Sequence, residues 1–176
     1  GEPEFRIYNT GAPQLDDIIN SKIKGDDIKS IKKSLRVDNK KNYCLCIMHS
    51  SSDEKNIYKV VELINKTLLE LNIFQIWILP NNDSGSDLIR NEIINLKRKN
   101  IAFVNNMKRA NFIELLKNSD FLIGNSSCGI LEAPALGIPS INMGVRQKGR
   151  MQAKSVVHTK IFNKQSIKDA IRLCYK

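Results

Sequence analysis

The amino-acid sequence predicts an α/β fold, a doubly wound parallel sheet. Apolar runs rich in β-branched and aromatic residues alternate along the chain with segments of helical periodicity. The runs are continuous rather than alternating with polar residues, which is typical of strands buried on both faces. The 176 residues, 41% hydrophobic and 26% charged, suffice for one folded domain that needs no disulfide or metal to stabilise its core.

Six central strands are predicted, each a short apolar run between polar turns. They are Tyr43 to Met48, Phe74 to Leu79, Ile101 to Val104, Phe121 to Ile123, Ser140 to Asn142 and Val156 to His158. A further strand-like run, Phe5 to Tyr8, lies near the start of the chain. Since the chain begins without an initiator methionine, we expect it to be a piece of a longer protein.

Helices are predicted in the segments that connect the strands. They begin near Asp16, Asp26, Asp53, Ser86, Lys108, Gly129 and Lys164. The third has the clearest helical period, because five apolar residues recur on one face. Those residues are Ile57, Val61, Ile64, Leu68 and Leu71, and we expect this stripe to face the sheet.

The charge balance is strongly basic, with 28 Lys and Arg against 18 Asp and Glu, a net charge of +10. The excess is largest over residues 22–41 and 146–176. Either a bias towards lysine throughout the chain or a surface that binds anions explains it. Only 6% of residues are aromatic, and none interleaves with basic residues along a strand, so we expect no nucleic-acid partner.

Cysteine and histidine spacing predicts neither a metal site nor a cofactor. The candidates are Cys44, Cys46, Cys128, Cys174, His49 and His158, which form no C-x-x-C pair. We expect reduced thiols in the core. No apolar run reaches the roughly 18 residues of a membrane span, and no signal-peptide pattern begins the chain, so no membrane partner and a cytoplasmic location are expected.

The most informative turn follows the fourth predicted strand. Gly124 to Ile130 combines two glycines and two serines before a short helix, which Gly137 should end as its C-terminal cap. Ligands of doubly wound sheets bind at the carboxyl ends of the strands. The turn suits a diphosphate, whose charge would meet N–H groups and hydroxyls. Simple capping of the helix by the serines explains the pattern equally well.

Glu132 favours a ligand site at this turn. A capping-box glutamate would stand three residues after a Ser or Thr cap, at position 129 or 130, and neither position matches. Its carboxylate is therefore expected to be available to ligand hydroxyls beside the phosphates. A carboxylate stabilised only by the helix dipole is the alternative.

Four motifs in order resemble the UDP-N-acetylglucosamine 2-epimerase family, and above all its hydrolysing branch, which feeds sialic-acid-type sugar synthesis. They are Asn9 to Pro13 with Asp16 and Asp17, Pro80 to Ser86, Gly124 to Pro134, and Gly137 to Asn142 with Gly144 to Arg150. The resemblance covers essentially the whole chain. It implies a glycosyltransferase-B-type architecture of two Rossmann-like halves, of which this chain, as one domain over residues 1–176, is the C-terminal, UDP-binding half. The N-terminal half, with the family's catalytic carboxylates, is expected to be absent.

The resemblance also implies roles for individual residues. Ser126 and Ser127 would bind the diphosphate, and Gly129 would allow close backbone approach. Glu132 would bind the ribose hydroxyls. Arg146 would neutralise phosphate charge.

Three further residues match family positions near the nucleotide. Asn81 would lie beside it, and Met107 would either contact the uracil or fill the core. His49 matches the histidine that the family holds near the diphosphate and the leaving group. The family follows that histidine with Pro or Arg, whereas this chain has serines at 50–52, so a histidine that only satisfies a strand-end carbonyl is the alternative.

The reaction implied by the resemblance is loss of UDP from C1 as a proton leaves C2, followed by addition of water with inverted configuration at C2. The expected partners are UDP or a UDP-sugar and the missing N-terminal half, and the isolated chain is expected to be a monomer. A glycosyltransferase half of the same architecture is the second interpretation. The Gly144 to Arg150 run favours the epimerase. The resemblance allows either N-acetylglucosamine or a diacetamido sugar as the sugar, and either uracil or guanine as the base.

Overall fold

A computed structural model describes residues 2–20, 24–37, 42–51, 57–96, 100–159 and 161–175. Six parallel strands form one sheet in the order β3-β2-β1-β4-β5-β6. Their bounds are β1 Tyr43–Ile47, β2 Phe74–Ile78, β3 Ile101–Val104, β4 Phe121–Gly124, β5 Ser140–Met143 and β6 Val156–Thr159. All six central strands predicted from the apolar runs are confirmed.

Seven α-helices cover the sheet in the described part of the chain. They are α1 Asp16–Ile19, α2 Ile28–Ser34, α3 Lys59–Glu70, α4 Ser86–Ile94, α5 Arg109–Lys117, α6 Glu132–Ala135 and α7 Lys164–Cys174. The predicted starts at Asp16, Ser86 and Lys164 are confirmed. Asp27 caps α2 by accepting the Lys29 N–H, close to the predicted start. The predicted start at Asp53 lies outside the described residues.

Two apolar cores lie on opposite faces of the sheet. One is built on α3, α4 and α7, around Ile64, Ile93 and Ile167. The other is built on α2, α5 and α6, around Leu45 and Leu115. Helices on both faces explain why the strands are continuously apolar. The doubly wound class is confirmed.

The order of the strands places β1 beside β4 at the centre of the sheet. The chain builds outward from β1 through β2 to β3, and then outward on the other side from β4 through β5 to β6. The connections therefore change side between β1 and β4, where a crevice forms at the carboxyl ends. The register pairs Ile47 with Gly124 at that edge.

Three local predictions are wrong. The run Phe5 to Tyr8 is no strand, since Glu4–Arg6 forms a 3-10 turn and Phe5 is 74% exposed with no neighbouring strand. Leu71 is 40% exposed, because it caps the end of α3 rather than continuing its buried face. The helix expected from Gly129 is divided into a 3-10 turn, Ser127–Gly129, and the single-turn α6.

Gly137 ends α6 as predicted. It has φ 73°, its N–H donates to the Pro134 carbonyl at 3.0 Å, and the Ile138 N–H donates to the Ala133 carbonyl at 2.8 Å. This is a Schellman arrangement, which satisfies carbonyls at the end of the helix. It returns the chain directly to β5.

Candidate functional site

The residues singled out by the sequence lie along one edge of the sheet, where the strands end. His49 follows β1, Asn81 follows β2 and Met107 follows β3. Ser126 follows β4 and Arg146 follows β5. Because parallel strands share one carboxyl edge, positions far apart in sequence meet there.

Gly124 sets how closely the two central strands approach. Its φ is 149°, and a Cβ at this position would lie 1.8 Å from the Ile47 carbonyl oxygen. Only glycine avoids that overlap. The turn after β4 consequently lies directly against the end of β1.

Asn125 joins the two strand ends through its side chain and its backbone. It is fully buried. Its Oδ1 accepts the His49 N–H at 2.7 Å, and its Nδ2 donates to the His49 carbonyl at 2.9 Å. Its own N–H donates to the Ile47 carbonyl at 3.1 Å. His49 is therefore held by its main chain at the edge of the sheet.

The segment after Asn125 contains N–H groups that precede its first hydrogen-bonded turn. Ser126 is extended, and its side chain makes no capping hydrogen bond. The first hydrogen bond of the 3-10 turn runs from the Gly129 N–H to the Ser126 carbonyl at 3.2 Å, so the N–H groups of Ser127 and Cys128 precede it. Both serines are half-buried. Side-chain capping by Ser126, one of the two interpretations of the pattern, is therefore absent here.

Cys128 contributes packing rather than reactivity to this turn. Burial raises the pKa of its thiol to about 12. Its sulfur therefore stays protonated near neutral pH and fills the second core.

The His49 ring is held by a neighbouring turn. Its Nδ1 lies 3.2 Å from Asn81 Oδ1, while Asn81 Nδ2 donates to Asp83 Oδ2 at 2.6 Å. With the amide so oriented, Nδ1 of the neutral ring carries the proton and Nε2 holds the lone pair. Burial lowers the pKa of His49, and the nearby Arg146 cation lowers it further, against the opposing hydrogen bond from Asn81 and charge of Asp83. The ring is neutral at pH 7.

Arg146 and Gln147 bring the loop after β5 to the same place. Arg146 Nη1 donates to the Asn125 carbonyl at 3.3 Å, and Gln147 Nε2 donates to the same oxygen at 2.8 Å. Gln147 is only 1% exposed. The turn after β4 is thereby bonded to both neighbouring loops.

Glu132 is engaged by a cation that the sequence did not indicate. Its Oε1 accepts from Arg109 Nη1 at 3.2 Å, and Arg109 Nη2 donates to the Gln14 carbonyl at 2.7 Å. Glu132 is 8% exposed, and the side chain of Arg109 is 44% exposed. The expectation of an available carboxylate is corrected at Oε1, which is paired in this structure.

Asn81 lies in the turn after β2, and Met107 lies in the segment after β3. Beside Asn81, an open polar cavity of about 570 Å³ lies between the two connections. Arg90 forms one wall by bonding Asn105 Oδ1 at 3.1 Å and the Pro80 carbonyl at 3.0 Å. Met107 is half-buried against the second core, which matches its core-filling interpretation.

Sequence reasoning missed three residues that shape this site. They are Arg109, Asn125 and Gln147. Signals existed for two of them, because Asn125 directly follows the glycine that ends β4 and Gln147 lies within the basic loop after β5. Arg109 lies 23 residues before Glu132 on another helix, and no sequence period relates the two.

The arrangement suits a small anionic ligand. Backbone donors, two hydroxyls and Arg146 lie around one crevice, beside a neutral histidine able to accept a proton. Across the residues with described positions, no cluster of three or more His, Cys, Asp or Glu could hold a metal ion. The same part of the chain contains no helix long and apolar enough to cross a membrane.

Relatives of known function are similar to this sequence over nearly its whole length. The chain is 30% identical over 180 residues to the UDP-N-acetylglucosamine 2-epimerase of Neisseria meningitidis, covering 98% of this chain and 45% of that protein. It is 33% identical over 160 residues to the hydrolysing UDP-N,N'-diacetylbacillosamine 2-epimerase of Legionella pneumophila, covering 89% and 42% respectively.

Solved structures share the fold. The UDP-GlcNAc 2-epimerase of Methanocaldococcus jannaschii, solved with UDP-GlcNAc and UDP, superposes with a TM-score of 0.75 at 19% identity, over 99% of this chain and 49% of that one. An Escherichia coli heptosyltransferase superposes less closely, with a TM-score of 0.56 at 10% identity over 82% of this chain and 47% of that one. The chain thus has the fold of one half of a glycosyltransferase-B-type protein.

The matched proteins are longer than this chain. The chain spans about half the length of the relatives and structures that it matches. Residues 1–176 in full match the family described as UDP-N-acetylglucosamine 2-epimerase. This chain therefore belongs to the UDP-N-acetylglucosamine 2-epimerase family.

Proposed function

We propose that this chain is the UDP-binding half of a hydrolysing UDP-N-acetylglucosamine 2-epimerase, which forms N-acetylmannosamine and UDP for sialic-acid-type sugar synthesis. Its family membership supports the epimerase reaction, and the Legionella relative supports the hydrolytic outcome. Because the chain spans about half of its relatives, the proposal assigns the catalytic carboxylates to the remaining half.

The observation that carries the proposal is the turn after β4. Its Ser127 and Cys128 N–H groups precede the first bonded turn, and Arg146 lies against the same turn through Asn125. When the bond between C1 and oxygen breaks, negative charge grows on the β-phosphate of UDP. Donors already placed there stabilise that charge without reorganising.

His49 and Glu132 take supporting roles in this proposal. After taking up a proton at Nε2, the His49 ring would donate a hydrogen bond to the leaving diphosphate, and Glu132 would accept hydrogen bonds from the ribose hydroxyls. The proton on C2 would be removed by a base from the other half, and water would then add to the unsaturated sugar. UDP leaves with the electron pair of the broken bond between C1 and oxygen. One water then supplies the hydroxyl on C1 and the hydrogen on C2.

A diacetamido sugar nucleotide is the second candidate substrate. The Legionella relative, at 33% identity, is named for UDP-N,N'-diacetylbacillosamine. Both candidates share the UDP group, so this chain would bind either through the same turn.

Isothermal titration of the chain with UDP tests the proposal. The matched variants are Ser126→Ala with Ser127→Ala, and, as a control, Ser34→Ala with Ser119→Ala, whose hydroxyls bond helix carbonyls away from the carboxyl edge of the sheet. A donor to a charged acceptor contributes roughly 1.5 to 3 kcal/mol, so the first pair should lose about tenfold or more in UDP affinity. The control pair should bind UDP as the wild type does.

Three outcomes contradict the proposal. Equal UDP affinity of wild type and the Ser126/Ser127 variant would remove the phosphate role of the turn. Undetectable UDP binding, together with duplex DNA binding that persists at about 300 mM salt, would favour a basic nucleic-acid module. Parallel titration with GDP identifies the base, and release of free N-acetylmannosamine by this chain alone would overturn the division of labour between halves.

A further inference from the structure

The side chain of Asn125 extends the central sheet beyond its last backbone pair. Strand pairing between β1 and β4 ends at Ile47 and Gly124. Past that point, the Asn125 side-chain amide bonds both main-chain groups of His49, at 2.7 and 2.9 Å. In a sheet, the N–H and C=O of a strand residue are likewise satisfied by one acceptor and one donor of the neighbouring strand.

This substitution of side chain for backbone lets two neighbouring segments diverge. The main chain of β4 turns away at Gly124 towards the serines. Beyond the end of β1, the amide of Asn125 satisfies both main-chain groups of His49, which would otherwise lack a partner. The histidine thus lies at a defined position two residues beyond the end of β1.

Asn125 also holds the arginine loop through its carbonyl, which accepts from Arg146 at 3.3 Å and from Gln147 at 2.8 Å. Its N–H, carbonyl, Oδ1 and Nδ2 all have partners, and the residue is fully buried. Breaking any of these bonds would leave a buried polar group of Asn125 without a partner, so this residue is firmly held, although the buried Oε1 of Gln147 in the same network has no partner. One residue therefore fixes groups that arrive from β1 and from the loop after β5.

We propose that Asn125 is a positioning residue, whose side chain fixes His49 and whose carbonyl fixes Arg146 at the place where the diphosphate leaves. The link to the leaving group rests on the proposed function, whereas the clamp on His49 does not. Only asparagine supplies an acceptor and a donor at this reach. Aspartate lacks the donor, alanine lacks both groups, and glutamine is longer by one methylene.

The chain offers a direct readout, because it has only two histidines. The His49 ring faces Arg146 from the loop after β5, and Asn81 and Asp83 from the turn after β2. The His158 ring lies on the edge strand β6, bonded to Asn142 Nδ2 and to Gln152 Oε1. NMR titration of both imidazoles therefore measures His49 with His158 as an internal reference.

The variants are Asn125→Asp and Asn125→Ala, with Asn65→Ala as the matched control. Asn65 is also a buried asparagine, whose Oδ1 accepts from Gln75 Nε2 at 3.1 Å. In Asn125→Asp the added negative charge should raise the pKa of His49. UDP affinity should fall about tenfold in Asn125→Ala. Asn65→Ala should leave both the His49 titration and UDP affinity at their wild-type values.

Each result decides the proposal. An unchanged His49 titration in folded Asn125→Asp overturns the clamp, and a changed titration with unchanged UDP affinity in Asn125→Ala overturns the link to the leaving group. If both variants fail to fold, hydrogen exchange in the wild type decides. Protection of the His49 amide comparable to strand amides supports the clamp, and exchange as fast as at Ser51 overturns it. Wild-type chain that binds no UDP rejects the proposed function but leaves the His49 titration as a test of the clamp.

Discussion

Two turns hold the same histidine in different ways. The turn after β4 reaches His49 through Asn125, which is fully buried and bonds its main chain. The turn after β2 reaches it through Asn81, which is exposed and bonds its ring. Buried hydrogen bonds fix a position because breaking one leaves a polar group without water, whereas exposed bonds exchange with water at small cost. The backbone of His49 is accordingly fixed more firmly than its ring, whose hydrogen bond to Asn81 can exchange with water.

The largest effect should follow a change at the buried turn. In Gly124→Ala the added Cβ would lie 1.8 Å from the Ile47 carbonyl oxygen, and neither central strand can move without breaking the sheet. We expect destabilisation by more than about 4 kcal/mol, or loss of folding, measured by urea denaturation with circular dichroism.

Gly137→Ala is the control for that change. Gly137 also has positive φ, but a Cβ added there would meet no atom within 4 Å. Only the left-handed backbone is strained, at roughly 1 to 2 kcal/mol. Similar losses of unfolding free energy in the two variants would show that the close approach of the strands at Gly124 does not cause the destabilisation.

The next effect concerns Glu132, which is buried but paired with the partly exposed Arg109. If the carboxylate accepts ribose hydroxyls, 2′-deoxy-UDP should bind more weakly than UDP by roughly 1 to 2 kcal/mol. Glu132→Ala should erase that difference, and Arg109→Lys should keep it. Calorimetry with both nucleotides measures this difference. Equal binding of the two by the wild type would show that Glu132 pairs with Arg109 but does not bind the ribose.

A smaller effect is expected at the exposed turn. Asn81→Ala should change the free energy of unfolding by no more than about 0.5 kcal/mol, as is usual for surface substitutions. It should also lower the pKa of His49, because the Asn81 hydrogen bond favours the charged ring. Denaturation and NMR titration measure the two quantities. A loss of stability as large as in Asn125→Ala would erase the contrast between the turns.

The smallest effect is a dependence of stability on pH. The pKa of His49 is lowered in the folded chain, chiefly by burial, from an unfolded value of about 6.5. As pH falls through 6.5, the unfolded chain binds its proton first, so the free energy of unfolding decreases, whereas the contribution is complete above that pH. His49→Gln should flatten this part of the curve. Urea denaturation at pH 7.5 and 5.5 measures the free energy of unfolding, and an equal change between the two pH values in wild type and His49→Gln would contradict the prediction.

The sequence predicted the fold well because its strands are buried on both faces. Phe121 to Ile123 is typical of these continuous apolar runs, and Asp16 and Ser86 mark where helices begin. The run Phe5 to Tyr8 has the same composition but no strand beside it, and composition alone does not reveal a missing neighbour. The carboxyl edge, where we propose that the nucleotide binds, was predictable for a similar reason, since it depends on where strands end.

The bonds within the site were less predictable. The pairing of Arg109 with Glu132 depends on how α5 and α6 lie together, which no local period encodes. The role of Asn125 depends on Gly124, which allows β1 and β4 to approach each other. The resulting contact joins Asn125 to His49, 76 positions earlier in the chain. Such tertiary contacts require the assembled sheet.

The order of the strands also shapes how the chain folds. Every pair in the sheet except β1 with β4 joins strands that are consecutive in the sequence. Loop closure costs more entropy for distant partners, so the β1–β3 and β4–β6 units should form first, and the seam between them should close last. The histidine and the serine turn lie on either side of that seam. The proposed ligand crevice should thus form in the final step of folding, and a bound nucleotide would slow the reverse step, the reopening of the seam.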